Sequence, residues 1–212
     1  MKRLLLNKDM VPKVVDGTVT QFSRPMKPQP AWETGKPTRI ELIDGLWRFF
    51  VDDRICITPY WKSPHKVGDI LWLAEGFCIY TPLKKCPSSF MDGGQENVIY
   101  RASHKLSDME GSEDICFDQD ISWKSPATMP QWAARKFYKV TSVKARQLGD
   151  MTEAECEAEG IEWLRNIPDC DETLTARQLH EVIWDSTHPK YPASENPHIF
   201  TYTIELTGRD GE

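Results

Sequence analysis

The stretch Lys66-Val-Gly-Asp-Ile-Leu-Trp-Leu-Ala-Glu-Gly-Phe-Cys-Ile-Tyr80 sets the terms for any fold of this chain. Gly68-Asp69 is a turn signal, because glycine tolerates a positive φ and an aspartate side chain bonds the backbone beyond it. From Ile70 to Tyr80 the chain runs apolar, rich in β-branched and aromatic residues, with Glu75 as its one charge. Such a run predicts a strand buried on both faces. An unpaired carboxylate inside it costs several kcal/mol. Glu75 must therefore meet a cation, accept hydrogen bonds or stay protonated. Two roles fit: a structural ion pair, or a carboxylate at the mouth of a small barrel that reads or activates a ligand.

The flanking segments predict a mixed architecture. Asn7 or Asp9 caps a short helix through Met10–Val15, with Pro12 in its first turn and Gly17 ending it. Thr18 to Arg24 alternates like a strand, and three prolines in Pro25–Pro30 favour an extended arm. Ile40–Asp44 and Leu46–Val51 read as strands turned at Asp44-Gly45, a hairpin dipeptide, with another short strand over Arg54–Thr58. Val98–Arg101 is a short strand, and Phe137–Leu148 a long one that alternates well. Thr152-Glu-Ala-Glu155 is a capping box opening a helix that Gly160 closes. A second helix runs from about Thr175 to Ser186 with Leu179, Val182 and Ile183 inward, and Ile199–Leu206 is a last strand. This order gives an α+β fold: a small mixed or antiparallel barrel with peripheral helices and long loops. A single domain over 1–212 is expected, with loop insertions at about 81–97 and 104–122.

Charge and cysteine usage exclude several classes. The net charge is −6, distributed as +5 over residues 1–40, 0 over 41–146 and −11 over 147–212. An acidic chain is no general polyanion binder, so any nucleic acid must meet a local basic surface from the first section. Cys56, Cys78, Cys86, Cys116, Cys156 and Cys170 contain no C-x-x-C pair, so reduced thiols and no metal site are expected. The five histidines read as structural or solvent-facing, and Gly93-Gly94 is only a turn, not a phosphate loop. No cofactor is implied. Leu4-Leu5-Leu6 is too short for a signal-peptide core, and no apolar run approaches the ~20 residues of a membrane span. A cytoplasmic location without membrane contact is the expectation.

Four segments then carry a likeness to a known family. They are Asp16 to Pro30 after the first helix; Gly68-Asp-Ile-Leu-Trp-Leu-Ala-Glu75; Trp123 to Arg135, especially Met129-Pro-Gln-Trp-Ala-Ala-Arg135, with the strand and helix ending Ala158-Glu-Gly160; and Trp184-Asp185 with Glu195-Asn-Pro197 and the closing strand. The whole chain resembles the ASCH-domain proteins of bacteriophages and prophages. Their fold is similar to the PUA domain, a small RNA-recognising β-barrel. For a phage-encoded chain the resemblance implies the host cytoplasm. The family's usual pattern is Gly-x-Lys-Thr-x-Thr-Arg-Arg, and here the run is Gly17-Thr-Val-Thr-Gln-Phe-Ser-Arg24. Gly17, Thr20 and Arg24 match. Val19 replaces the lysine, Phe22 the second threonine and Ser23 the first arginine. Small bacterial members remove the acetyl group from N4-acetylcytidine, with that lysine, that threonine and a glutamate as the proposed catalytic group.

Amide hydrolysis needs an activated nucleophile and a proton shuttle. Valine has no titratable atom and phenylalanine no hydroxyl, and no spacing places Lys13 or Lys36 in their stead. The resemblance therefore implies a binding module for a nucleoside, a nucleotide or single-stranded RNA. Arg24 offers a planar fork, Thr20 a hydroxyl and Glu75 an acceptor, while Phe22, Trp72 and Trp132 offer stacking faces. Lys13 and Arg135 complete the candidate ligand set. Each has a structural alternative: core filling for the three aromatics, an Arg24–Glu75 ion pair, and a rim salt bridge for Arg135. Two other functions stay open. One is a hydrolase of acylated nucleosides or a ribonuclease, with Glu75 and Thr20 as its catalytic residues. The other is a phage factor that binds a host protein through its acidic surface.

Overall fold

Asp44 and Gly45 both take a positive φ, 53° and 75°, the geometry that a two-residue turn between twisted strands requires. They join β3 (Arg39–Ile43) to β4 (Leu46–Val51) in antiparallel register, with Leu42 opposite Trp47, as the dipeptide predicts. The computed structural model describes residues 1–30, 37, 39–51, 54–55, 60–79, 98–103, 122–161 and 174–208. The loops expected at 81–97 and over nearly all of 104–122 lie outside these residues, as do Lys36 and four of the cysteines. Two compact units divide the chain: residues 1–17, 70–139 and 206–212 form the first, 18–69 and 140–205 the second.

In the first unit, β1 (Lys2–Leu5) runs parallel to β6 (Ile70–Ala74). The opening residues of β9 (Phe137–Gln147) pair antiparallel with β6, Leu71 facing Tyr138. A separate antiparallel pair joins β7 (Phe77–Ile79) to β8 (Val98–Tyr100), and α1 (Val11–Val15) carries Pro12 in its first turn. Trp72, Phe77, Tyr100, Met129 and Phe137 pack into one core cluster. The continuous strand expected from Ile70 to Tyr80 is thus two strands, broken at Glu75-Gly76. The backbone leaves the ladder there: the Glu75 N–H donates to Met129 Sδ and the Gly76 carbonyl accepts from the Arg101 N–H. A Cβ on Gly76 would stand 3.3 Å from the Arg101 Cβ, so glycine permits the approach. Strand β1 was not expected, because only Leu4 of its four residues is buried and no alternation marks it.

In the second unit, β2 (Gln21–Pro25) pairs antiparallel with β10 (His198–Thr207), and β10 lies between β2 and the remainder of β9. The three-strand sheet β3-β4-β5, with β5 at Arg54–Ile55, is tied on by a Trp47–Trp61 bridge. Helix α2 (Glu153–Ala158) opens at the expected Thr152–Glu155 capping box, and α3 (Ala176–Thr187) has its own at Thr175 and Gln178. The buried face of α3 is Ala176, Leu179, His180 and Trp184, an i, i+3, i+4, i+8 stripe. Val182 is exposed rather than inward, since it lies off that stripe.

The fold is α+β, with strands predominating. Among the described residues the strands do not close into the expected barrel. No described helix is long and apolar enough to cross a membrane.

Candidate functional site

The carboxylate that anchors the sequence is fully consumed. Glu75 and Arg135 have side-chain exposures of 0% and 1%. Arg135 Nε donates to Oε1 and Nη2 to Oε2, both at 2.9 Å, a bidentate fork. The guanidinium also lies 4.2 Å from the Tyr100 ring centre. This pair ends β6 and fixes the turn at Gln131–Ala133 that precedes Arg135. Arg135, not Arg24, is the cation that Glu75 meets. Tyr138, beside the pair, donates its hydroxyl to the Val14 carbonyl at 2.8 Å. Its burial, with Glu75 nearby, pushes the phenol well above the ordinary range.

The other candidates scatter. Lys13 sits half-buried in the last turn of α1, in the first unit. Trp72 is buried in the first core with the Arg3 guanidinium 4.9 Å over its ring, so it fills core rather than stacking a base. Trp132 is half exposed. In the second unit Val19 and Phe22 retain exposures of 2% and 1%. Phe22 stacks on Tyr202 at 4.9 Å, takes the His65 edge at 6.1 Å and lies under the Arg24 guanidinium at 5.3 Å. Its ring is a core element, and the expected stacking face is already covered. Thr20 is exposed, and its backbone bonds Ala158 and Ile204.

Around Arg24 the second unit assembles a polar network that the sequence did not announce. Ser23 donates its hydroxyl to Glu159 Oε1 at 2.5 Å. Its one hydrogen is then used, so Thr201 donates to Ser23 at 3.0 Å. A carboxylate has only acceptors, so His180 Nε2 carries the hydrogen it places 2.9 Å from Glu159 Oε2. Arg146 Nε reaches Thr201 at 3.4 Å, and its Nη1 reaches Glu155 at 2.6 Å. Its buried Nη2 has no hydrogen-bond partner among the described residues. Burial alone would raise the Glu155 carboxyl. Hydrogen bonds from Arg146, Lys144 and the Thr152 N–H instead hold it below the usual carboxylate range.

Burial lowers the Arg24 guanidinium from its ordinary value, and Glu159 and Tyr202 oppose that shift. His188 stacks on Trp184 at 4.2 Å. Its imidazole is pushed down to about 4 by burial, then by the charges of Arg24 and Lys27. The Lys27 ammonium stands 5.9 Å over Tyr191. Two cations, an imidazole and a phenol thus border one region. In the Ser23–Glu159–His180 chain the carboxylate stands between hydroxyl and imidazole, and Ser23 is buried. That order does not place an imidazole on the hydroxyl, as nucleophile activation by histidine requires. Cys156 is fully buried and burial raises its thiol to about 12, so it carries no thiolate at neutral pH.

Sequence reasoning missed Ser23, Glu159, His180, Lys27 and His188. In the sequence Ser23 reads only as a lost arginine, and Glu159 lies in Ala158-Glu-Gly160 with no pattern that gives it a role. Among the described residues no cluster of three or more His, Cys, Asp and Glu could hold a metal. Comparisons with protein-family models, curated proteins and solved structures found no match to this chain.

Proposed function

We propose that this chain is a binding module of the ASCH type, with a PUA-like barrel as its parent fold, that recognises a nucleotide or a short single-stranded RNA. The hydrolytic motif is read as eroded. The observation that carries the proposal is the group of Arg24, Lys27, His188 and Tyr191 in the second unit. Cations interleaved with rings suit a phosphate attached to a flat base. Lys27, the exposed cation of the group, supplies local positive charge despite a net charge of −6. Val19 and Phe22 lie in the core, so neither position supplies a base or a nucleophile. This supports binding over hydrolysis.

The test is titration with cytidine, cytidine monophosphate, N4-acetylcytidine and short single-stranded RNA, followed by tryptophan fluorescence. The phosphorylated ligands are expected to saturate. Loss of a charge-assisted contact in Arg24→Ala weakens them by roughly 10- to 100-fold. Lys27→Gln, at an exposed residue, checks the same surface without disturbing the core. Absence of saturable binding at millimolar ligand, or affinities unchanged in both variants, overturns the proposal. Turnover of N4-acetylcytidine replaces it with the hydrolase.

A further inference from the structure

A cleft of about 250 Å³ opens on the second unit, lined by none of the residues assigned above. Leu42, Trp47, Val67 and Val143 form its apolar walls; Ser63, His65 and Lys66 supply its polar edge. Leu42 and Val67 are large apolar residues left exposed at this cleft. The walls are held in place. The Trp47 and Trp61 backbones exchange two hydrogen bonds, at 2.8 and 3.1 Å. The two-residue turn fixes Leu42 opposite Trp47. Ser63 donates to the His65 carbonyl at 2.6 Å and bonds the Tyr202 hydroxyl at 2.8 Å. Burial raises the Tyr202 phenol to about 12, so it remains a neutral donor to Ser63.

What is left for a ligand is a pair of donors. The Trp47 indole N–H bonds no described residue and is not among the buried unpaired atoms, so it keeps contact with solvent. The Lys66 side chain is exposed and forms no ion pair with a described residue. Its neighbour Asp69 is engaged by the Lys66 backbone N–H at 2.8 Å. At about 250 Å³ the volume falls just below the ~300–1,000 Å³ of drug-sized pockets, which selects one ring system with a short arm. A nucleotide or a peptide is too large. Apolar walls reject a fully polar ion, and a lysine rejects a cation.

We propose that this cleft binds a small aromatic carboxylate, its ring against Trp47, Leu42 and Val143 and its carboxylate at Lys66. None of Arg24, Lys27, His188 and Tyr191 lines this cleft. The experiment follows the tryptophan indole N–H resonances by two-dimensional NMR during titration with benzoate, phenylacetate and the neutral benzamide. The Trp47 signal is assigned by its loss in Trp47→Phe. Expected is a saturable shift of that signal with both acids, and roughly fivefold weaker binding of benzamide, as one partly exposed charge contact dictates. Lys66→Gln should bring acid and amide to the same affinity. No saturable shift of the Trp47 signal, equal affinity for acid and amide in the parent chain, or acid binding untouched by Lys66→Gln each overturns the proposal.

Discussion

Two buried carboxylates, one in each unit, show what their partners make of them. Glu75 faces a guanidinium that engages both its oxygens, so charge meets charge. Glu159 faces a serine hydroxyl on one oxygen and an imidazole on the other, so its hydrogen-bond partners are a neutral donor and a titratable ring. The first is a clamp that closes a turn. The second belongs to a chain that runs through Thr201 to Arg146, with Arg24 near enough for its charge to be felt. Burial alone does not decide the role.

The contrast breaks most visibly at the clamp. Arg135→Met leaves Glu75 buried and unpaired, and should cost roughly 3–5 kcal/mol in urea unfolding, as removal of one partner of a buried pair does. Adding Glu75→Leu should recover most of that loss, because the desolvation penalty disappears with the charge. In the second unit Ser23→Ala removes one donor from Glu159 and should cost about 1–3 kcal/mol. If it matches the Arg135 variant, the two carboxylates are not as different as their partners suggest.

Acid sharpens the comparison in another way. His188 is held neutral down to about 4 by burial and the nearby cations, whereas an unfolded chain protonates it near 6.5. Between those values the unfolded state binds more protons, so stability falls as pH drops from about 6.5 to 4 and then levels. Urea midpoints measured across this window should fall less steeply in His188→Asn. The smallest effect is expected at Lys144, whose exposed ammonium bonds Glu155 at 2.9 Å. Lys144→Ala should change stability by about 0–1 kcal/mol, since Arg146 still holds that carboxylate.

Local chemistry was legible and long-range partnership was not. The Asp44-Gly45 turn, the Thr152 capping box and the alternation of β9 depend on residues close in sequence, and each element formed where its pattern placed it. The break in the apolar run came from Met129 and Arg101, distant residues that took the backbone groups of Glu75 and Gly76. The motif reading treated Ser23 as a deficit. Its hydroxyl instead finds a carboxylate 136 positions away, and no local signal announces that. For Glu75 the sequence leaves a cation, hydrogen bonds or a proton open and offers Arg24 as the ion-pair partner; the partner is Arg135.

The order in which the chain visits its two units has a practical consequence. Segments 1–17, 70–139 and 206–212 alternate with 18–69 and 140–205. No single cut isolates either unit, and an N-terminal fragment that ends anywhere from residue 18 to 204 lacks part of both. Dissection of this protein must therefore proceed by point substitution or by rejoining new termini, not by truncation.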